Sequence, residues 1–100
     1  PGYGGSCFPK DVKALVKLAE SKGMDLSIVK ATDKVNNHQR TRIVEKIKNY
    51  FDGDIKDKTF AIWGAAFKPD TDDVRESPTQ FVCEKILEEG GFVNLFDPYY

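Results

Sequence analysis

The chain has 100 residues, 40% hydrophobic and 31% charged, with a formal net charge of −1; this suffices for one small domain or a piece of a larger one, outside the disordered class. No run approaches the roughly 18 apolar residues of a membrane span, no charged-then-apolar leader is visible, and near-neutrality excludes a strong polyanion binder, so membrane and nucleic acid drop out as partners. Cys7 and Cys83 lie far apart without metal-type spacing, which argues against a zinc module or disulfide framework and makes a reducing, cytoplasmic setting the expectation.

Charge divides unevenly. Residues 1–58 carry 12 Lys+Arg and 8 Asp+Glu, whereas residues 59–100 carry 3 and 8. The break at the Asp52–Lys58 loop is expected to separate two units, 1–58 and 59–100. Pro1-Gly2-Tyr3-Gly4-Gly5-Ser6 has no periodicity and reads as a loop needing unusual backbone angles or close approach to a ligand. From Pro9, Val12, Leu15, Val16 and Ala19 recur at helical spacing, with Pro9 at the first helical position and Gly23 as the stop. A second helix starts near Leu26, capped by Asp25 or Ser27, and Ile28, Ala31, Val35, Ile43, Ile47 and Phe51 step along one broad face. Its polar middle predicts either one long spine or two helices jointed near Asn36-Asn37, because Asn is a weak helix former.

Thr59-Phe60-Ala61-Ile62-Trp63 reads as a buried strand closed by Gly64. Ser77-Pro78-Thr79-Gln80 has the form of a capping box, and Val82, Cys83, Ile86 and Leu87 give the following helix its apolar stripe, placing Cys83 in the core. Phe92–Phe96 is a second strand. The fold class is therefore α/β: a helical segment followed by a truncated Rossmann-like βαβ unit with parallel strands. Two parallel strands alone do not make a stable sheet, so the chain is expected to be an excerpt of a larger enzyme.

Two stretches carry candidate chemistry. A cysteine between a glycine loop and a helix start sits beside free backbone N–H groups and the positive helix end, which suit a thiolate nucleophile. Asp11, one turn on, would share a face with Cys7 and could take a proton from water, and Lys10 could reach a phosphate. A small buried cysteine beside solvated Lys-Asp fits the same residues, and both readings stand at this point. The second stretch, Phe67–Ser77, follows a strand where open α/β sheets bind ligands. Lys68 and Arg75 there suit phosphate or carboxylate, although an exposed loop with internal ion pairs fits equally. His38 reads as surface, and no metal site is expected.

Taken together, Gly4-Gly5-Ser6-Cys7-Phe8-Pro9-Lys10-Asp11 and Phe67-Lys68-Pro69-Asp70-Thr71-Asp72-Asp73-Val74-Arg75-Glu76-Ser77-Pro78 resemble the UDP-glucose/GDP-mannose dehydrogenase family, and Val35–Arg40 and Asp97-Pro98 fit its pattern. The resemblance spans essentially the whole chain. It implies oxidation of the C6 alcohol of a nucleotide sugar to a carboxylate with two NAD and one water. In that scheme Cys7 is the nucleophile, passing through a thiohemiacetal and a thioester, and Asp11 assists hydrolysis. Cys7, Lys10 and Arg75 would contact NAD; Pro1–Gly4 (Tyr3 and Gly4 among them), Phe67 and Lys68 would contact the UDP-sugar. The long helix would form a homodimer or higher homo-oligomer, and residues 59–100 would open the UDP-sugar-binding domain.

The family's N-terminal dinucleotide-binding domain and its further catalytic lysine and asparagine are absent, so this chain alone is expected neither to bind NAD tightly nor to turn over substrate. Phe8 leans toward UDP-glucose over GDP-mannose, and Lys10 argues against the N-acetyl-sugar branch. A non-catalytic helical dimerisation module and a redox-sensing thiol are the alternatives from other classes; the latter lacks a resolving cysteine nearby.

Overall fold

A computed structural model describes residues 1–100, with three helices and two strands in the order α1 (Phe8–Ser21), α2 (Ser27–Tyr50), β1 (Thr59–Trp63), α3 (Pro78–Glu88) and β2 (Phe92–Phe96). The strands pair in parallel with Thr59 opposite Phe92 and Trp63 opposite Phe96, and α3 supplies the crossover that a parallel pair requires. This is the expected βαβ unit preceded by a helical segment.

The helix ends refine the sequence reading. α1 begins at Phe8, so Pro9 sits one position further in and Cys7 is the N-cap. Its stop is as expected: Gly23 at φ +69° lets the amides of Gly23 and Met24 return to the carbonyls of Glu20 and Ala19. Neither Asp25 nor Ser27 caps α2; the cap position is Leu26, and the Ser27 hydroxyl donates to the Asp25 carboxylate instead. Lys30 bridges Glu20 and Asp25 at 3.3 and 3.1 Å, tying the two helices at their turn. Only half of the capping box forms: Ser77 Oγ accepts the Thr79 N–H, while the Gln80 amide donates to Glu84 one turn on.

α2 runs unbroken through Asn36-Asn37 for 24 residues, about 36 Å at 1.5 Å per residue. Its inward stripe coincides only in part with the apolar face read from the sequence: Ile47 and Phe51 turn in, Ile28 and Val35 do not. Asn36, Arg40, Val44, Ile47 and Phe51, at successive steps of three and four, turn toward the rest of the chain, with Ile43 at the edge of this stripe lining a groove beside Ile47, Phe60 and Ile62, whereas Ile28 (84% exposed) and Val35 face outward. The stripe is polar at its first two positions and apolar after them. Its apolar part packs with Ile55, Val82 and Ile86, flanked by Phe60, Ile62, Phe81 and Val93, into the central core.

The sheet departs from the buried-strand expectation. Phe60, Ile62 and Val93 are half-buried on one face, and Thr59, Ala61 and Trp63 alternate onto an open one. Cys83 is likewise half-buried rather than enclosed, with burial pushing its thiol pKa up. Ile86 is fully buried at the centre of the core. Replacing it with Ala is expected to remove about 2–5 kcal/mol of unfolding free energy, whereas Leu18→Ala, on the exposed side of α1, should cost under about 1 kcal/mol; urea titration of the two variants checks the ranking.

Candidate functional site

The glycine strip before α1 is gripped from two sides. On one side the buried Asn36 carboxamide accepts the Tyr3 N–H at 2.7 Å and donates to the Tyr3 carbonyl at 3.2 Å. On the other, the Gly5 N–H donates to the Arg75 carbonyl at 2.8 Å. A side chain at Gly4 would collide with the Glu76 carbonyl, and one at Gly5 would enter the Phe67 ring. Two backbones therefore run too close for anything but glycine at Gly4, which is the close approach that the glycine-rich opening implied.

That grip delivers Cys7 to the N-terminus of α1 with its side chain exposed, and Ser6 Oγ lies 3.8 Å from the Cys7 sulfur. The small-buried-cysteine reading of Cys7 is thereby set aside. Asp11 sits one turn on, its N–H donating to the Cys7 carbonyl, and its carboxylate lies 3.6 Å from Lys10 Nζ. Lys10 and Arg75, remote in sequence, line one cleft of about 440 Å³ with Gly5, Ser6, Lys13 and Glu76. Lys10, Lys13 and Arg75 bring three cations to this lining, which has no large apolar side chain, and such a cleft suits a phosphate-like anion.

Arg75 is not free in that cleft. Its guanidinium forks onto Asp73 at 2.9 and 2.7 Å, and its own N–H donates to the same carboxylate. These bonds hold the Asp73 pKa down at about 2. They also raise the Arg75 pKa, to which the nearby Cys7 sulfur adds a smaller push in the same direction.

Tyr3 and Gly4 are placed against α2 and the Phe67–Ser77 loop. The Tyr3 ring meets Phe8 edge-on at 5.8 Å, while its hydroxyl is buried without a hydrogen-bond partner, its pKa raised by burial and by Asp33. Phe67 presses its ring on Gly5 and receives Lys68 Nζ 5.4 Å above its centre. Lys68 lines a separate cleft of about 430 Å³ beyond the carboxyl ends of the strands, with Trp63, Gly64, Thr79, Asp97 and Tyr99. Asp97 fastens that end: its carboxylate accepts the N–H groups of Ala65, Ala66 and Tyr99, which lowers its pKa. Tyr3, Gly4, Phe67 and Arg75 thus meet at the glycine loop that leads into Cys7, Lys10 and Asp11 follow it in the first turn of α1, and Lys68 sits over the Phe67 ring and lines the second cleft.

Sequence reading assigned no role to Asn36, Arg40 or Asp73, although all three lie in stretches that carry the family resemblance. Arg40, one turn from Asn36, donates to the Glu76 carboxylate at 2.9 Å and lowers its pKa. The available signal was the helical spacing of Asn36, Arg40 and Val44, which places two polar residues on the same stripe as a core residue.

Comparison with known proteins adds a second line. Residues 1–38 match the central domain, and residues 61–100 the UDP binding domain, of the UDP-glucose/GDP-mannose dehydrogenase family. The chain is 45% identical over 97 residues to a UDP-glucose 6-dehydrogenase of Pseudomonas aeruginosa, covering 97% of this chain and 21% of that protein. It superposes on a UDP-glucose dehydrogenase from the hyperthermophilic archaeon Pyrobaculum islandicum with a TM-score of 0.93 and 40% identity, covering 98% of this chain and 22% of the other. A ternary complex of GDP-mannose dehydrogenase from Pseudomonas aeruginosa superposes at 0.79 with 30% identity, covering 96% and 21%. The chain thus spans about a fifth of the length of the relatives it matches.

The loop's electrostatics are directly testable. Asp73 and Glu76 both have depressed pKa values in the folded state, so each favours folding above its unfolded pKa, and that contribution is lost as pH falls through the folded value. NMR titration should find Asp73 at about 2 in the native chain, and Arg75→Met should return it toward the ordinary ~3.9. Arg40→Met should destabilise at pH 7 and converge on the native chain in acid, once Glu76 is protonated.

Proposed function

The chain belongs to the UDP-glucose/GDP-mannose dehydrogenase family, and from that premise we propose that it is the nucleophile-bearing centre of an NAD-dependent enzyme oxidising the C6 alcohol of UDP-glucose to the carboxylate of UDP-glucuronate. The observation that carries this reading is exposed Cys7 at a helix N-terminus, with Asp11 one turn on and with Lys10 and Arg75, remote in sequence, lining one cleft beside its loop.

In this reading Cys7 Sγ adds to the C6 aldehyde and retains it as a thiohemiacetal while cofactor is exchanged. Oxidation of that adduct leaves a thioester. Water then attacks the thioester carbon, Asp11 takes a proton from the water, and the carboxylate departs with the Cys7 thiol regenerated. Bound NAD supplies the acceptor for the two hydrides, one per oxidation. Lys10 and Arg75 hold its phosphates, Arg75 pre-oriented by Asp73. Tyr3, Gly4, Phe67 and Lys68 border the UDP-sugar, with Lys68 at the strand ends where an open α/β sheet takes its ligand.

The likeness to a GDP-mannose dehydrogenase makes GDP-mannose the second candidate substrate. Self-association along α2 is supported by Ile28 and Val35, seven residues apart on its uncovered side. No helix is long and apolar enough to cross a membrane, and a cytoplasmic setting is part of the same proposal because a reducing compartment keeps a free thiol such as Cys7 available for reaction.

The longer protein should form two NADH per UDP-glucose consumed, and fewer or none with GDP-mannose or N-acetylated nucleotide sugars. Cys7→Ser should lose more than ~100-fold of the rate. The 100-residue chain alone should form no NADH. Spectrophotometry at 340 nm on a panel of nucleotide sugars decides among these, and NADH production without Cys7 at the native rate would overturn the assignment.

A further inference from the structure

Asn36 is the one buried side chain on α2 that is neither apolar nor charged, at 5% exposure. Both ends of its carboxamide are used, and both on a single residue outside the helix, Tyr3. A planar amide that accepts from the N–H and donates to the carbonyl of one residue fixes that peptide in position and direction, as a neighbouring strand would. A side chain at Gly2 would collide with the Asn36 carboxamide, so the chain is pressed onto it over two successive residues. From Tyr3 the backbone runs straight into Gly4, Gly5 and Cys7.

One turn along the same stripe, Arg40 holds Glu76, and the backbone between Glu76 and Arg75 accepts the Gly5 N–H and contacts Gly4. α2 therefore grips both loops of the site from one stripe, Asn36 the Cys7 loop and Arg40 the Arg75 loop. Glu76 sits at φ +53°, a strained setting for a non-glycine residue, and that turn is what aims its carboxylate at Arg40 and its carbonyl at Gly4.

We infer that Asn36 is a positioning residue for the nucleophile: by clasping both polar atoms of the Tyr3 backbone, it sets the register of Cys7 against the loop that carries Arg75. No direct contact of Asn36 with substrate is required. The inference rests on reading Cys7 as the reacting thiol.

The test uses the full-length protein, with Asn36→Leu, which keeps the volume and removes both bonds, and Asn36→Asp, which keeps only the acceptor for the Tyr3 N–H. Asn36→Leu should lower kcat with UDP-glucose by about 10–100-fold, the range a roughly 1 Å misplacement produces. Asn36→Asp should recover part of that loss. Hydrogen exchange at the Tyr3 and Gly5 amides should accelerate at least about tenfold in Asn36→Leu, while the amides of Val82 and Ile86 stay as in the native protein.

A kcat within about twofold of native despite loosened Tyr3 and Gly5 amides would overturn the inference. So would unchanged exchange at Tyr3, or acceleration spread equally through α3, which would mark Asn36 as merely structural. Should the native protein oxidise no nucleotide sugar, the functional reading fails separately. The clasp is then read from iodoacetamide alkylation of Cys7 in a Cys83→Ser background. Because Cys7 is already exposed, a rate altered by at least about threefold in Asn36→Leu reports changed surroundings of the sulfur and supports the positioning role, and an unaltered rate rejects it.

Discussion

The change of character along the inward stripe of α2 is the constraint on which the rest of this molecule depends. A helix can dock against loops or against a core, and each demands a different surface. Loops present backbone N–H and C=O groups that must be paired when covered, while a core requires apolar contact. α2 meets both demands in one stripe. Asn36 and Arg40 serve the loops, and Val44, Ile47 and Phe51 serve the core. The cost of burying an amide at Asn36 is offset because both its polar ends are satisfied. A leucine there would be the better helix former and would leave the Tyr3 backbone unpaired.

The site is assembled from short-range fastenings made where elements end. Gly4 and Gly5 allow backbone to approach backbone, Asp73 locks Arg75, Ser77 caps α3, and Asp97 gathers three amides beyond β2. Thr79 ties the start of α3 back to the Gly64 carbonyl at the end of β1. None of these bonds is individually large, but together they leave the Phe67–Ser77 loop few independent degrees of freedom. That suits a role in which a thiol and a cation must meet a ligand already in place.

The elements were legible in the sequence because apolar spacing, Gly23, and the Ser77-Pro78 pair each carry a local physical meaning. The orientation of α2 was not. In its first half the apolar residues Ile28 and Val35 lie on the outward face, and its inward face opens with an asparagine that reads as a helix weakener. The cap of α2 and the second half of the α3 capping box failed because Asp25 and Gln80 found nearer partners in Ser27 and Glu84. Cys7, Lys10, Asp11 and Arg75 were legible as candidates from residue type and motif, but the meeting of Lys10 and Arg75 in one cleft beside the Cys7 loop was not, since it depends on the Asn36 and Arg40 contacts that have no signature in composition. Phe60–Trp63 is apolar throughout, so alternation could not reveal that only one face of β1 is covered.

That open face carries the chain's only tryptophan. Trp63 stands 87% exposed at the carboxyl end of β1, beside the cleft that holds Lys68. Indole emission shifts to shorter wavelength as water leaves its surroundings, so the protein has a native optical reporter at this spot. Whatever comes to cover the sheet, or to fill the strand-end cleft, would announce itself in the fluorescence of one residue, without any label.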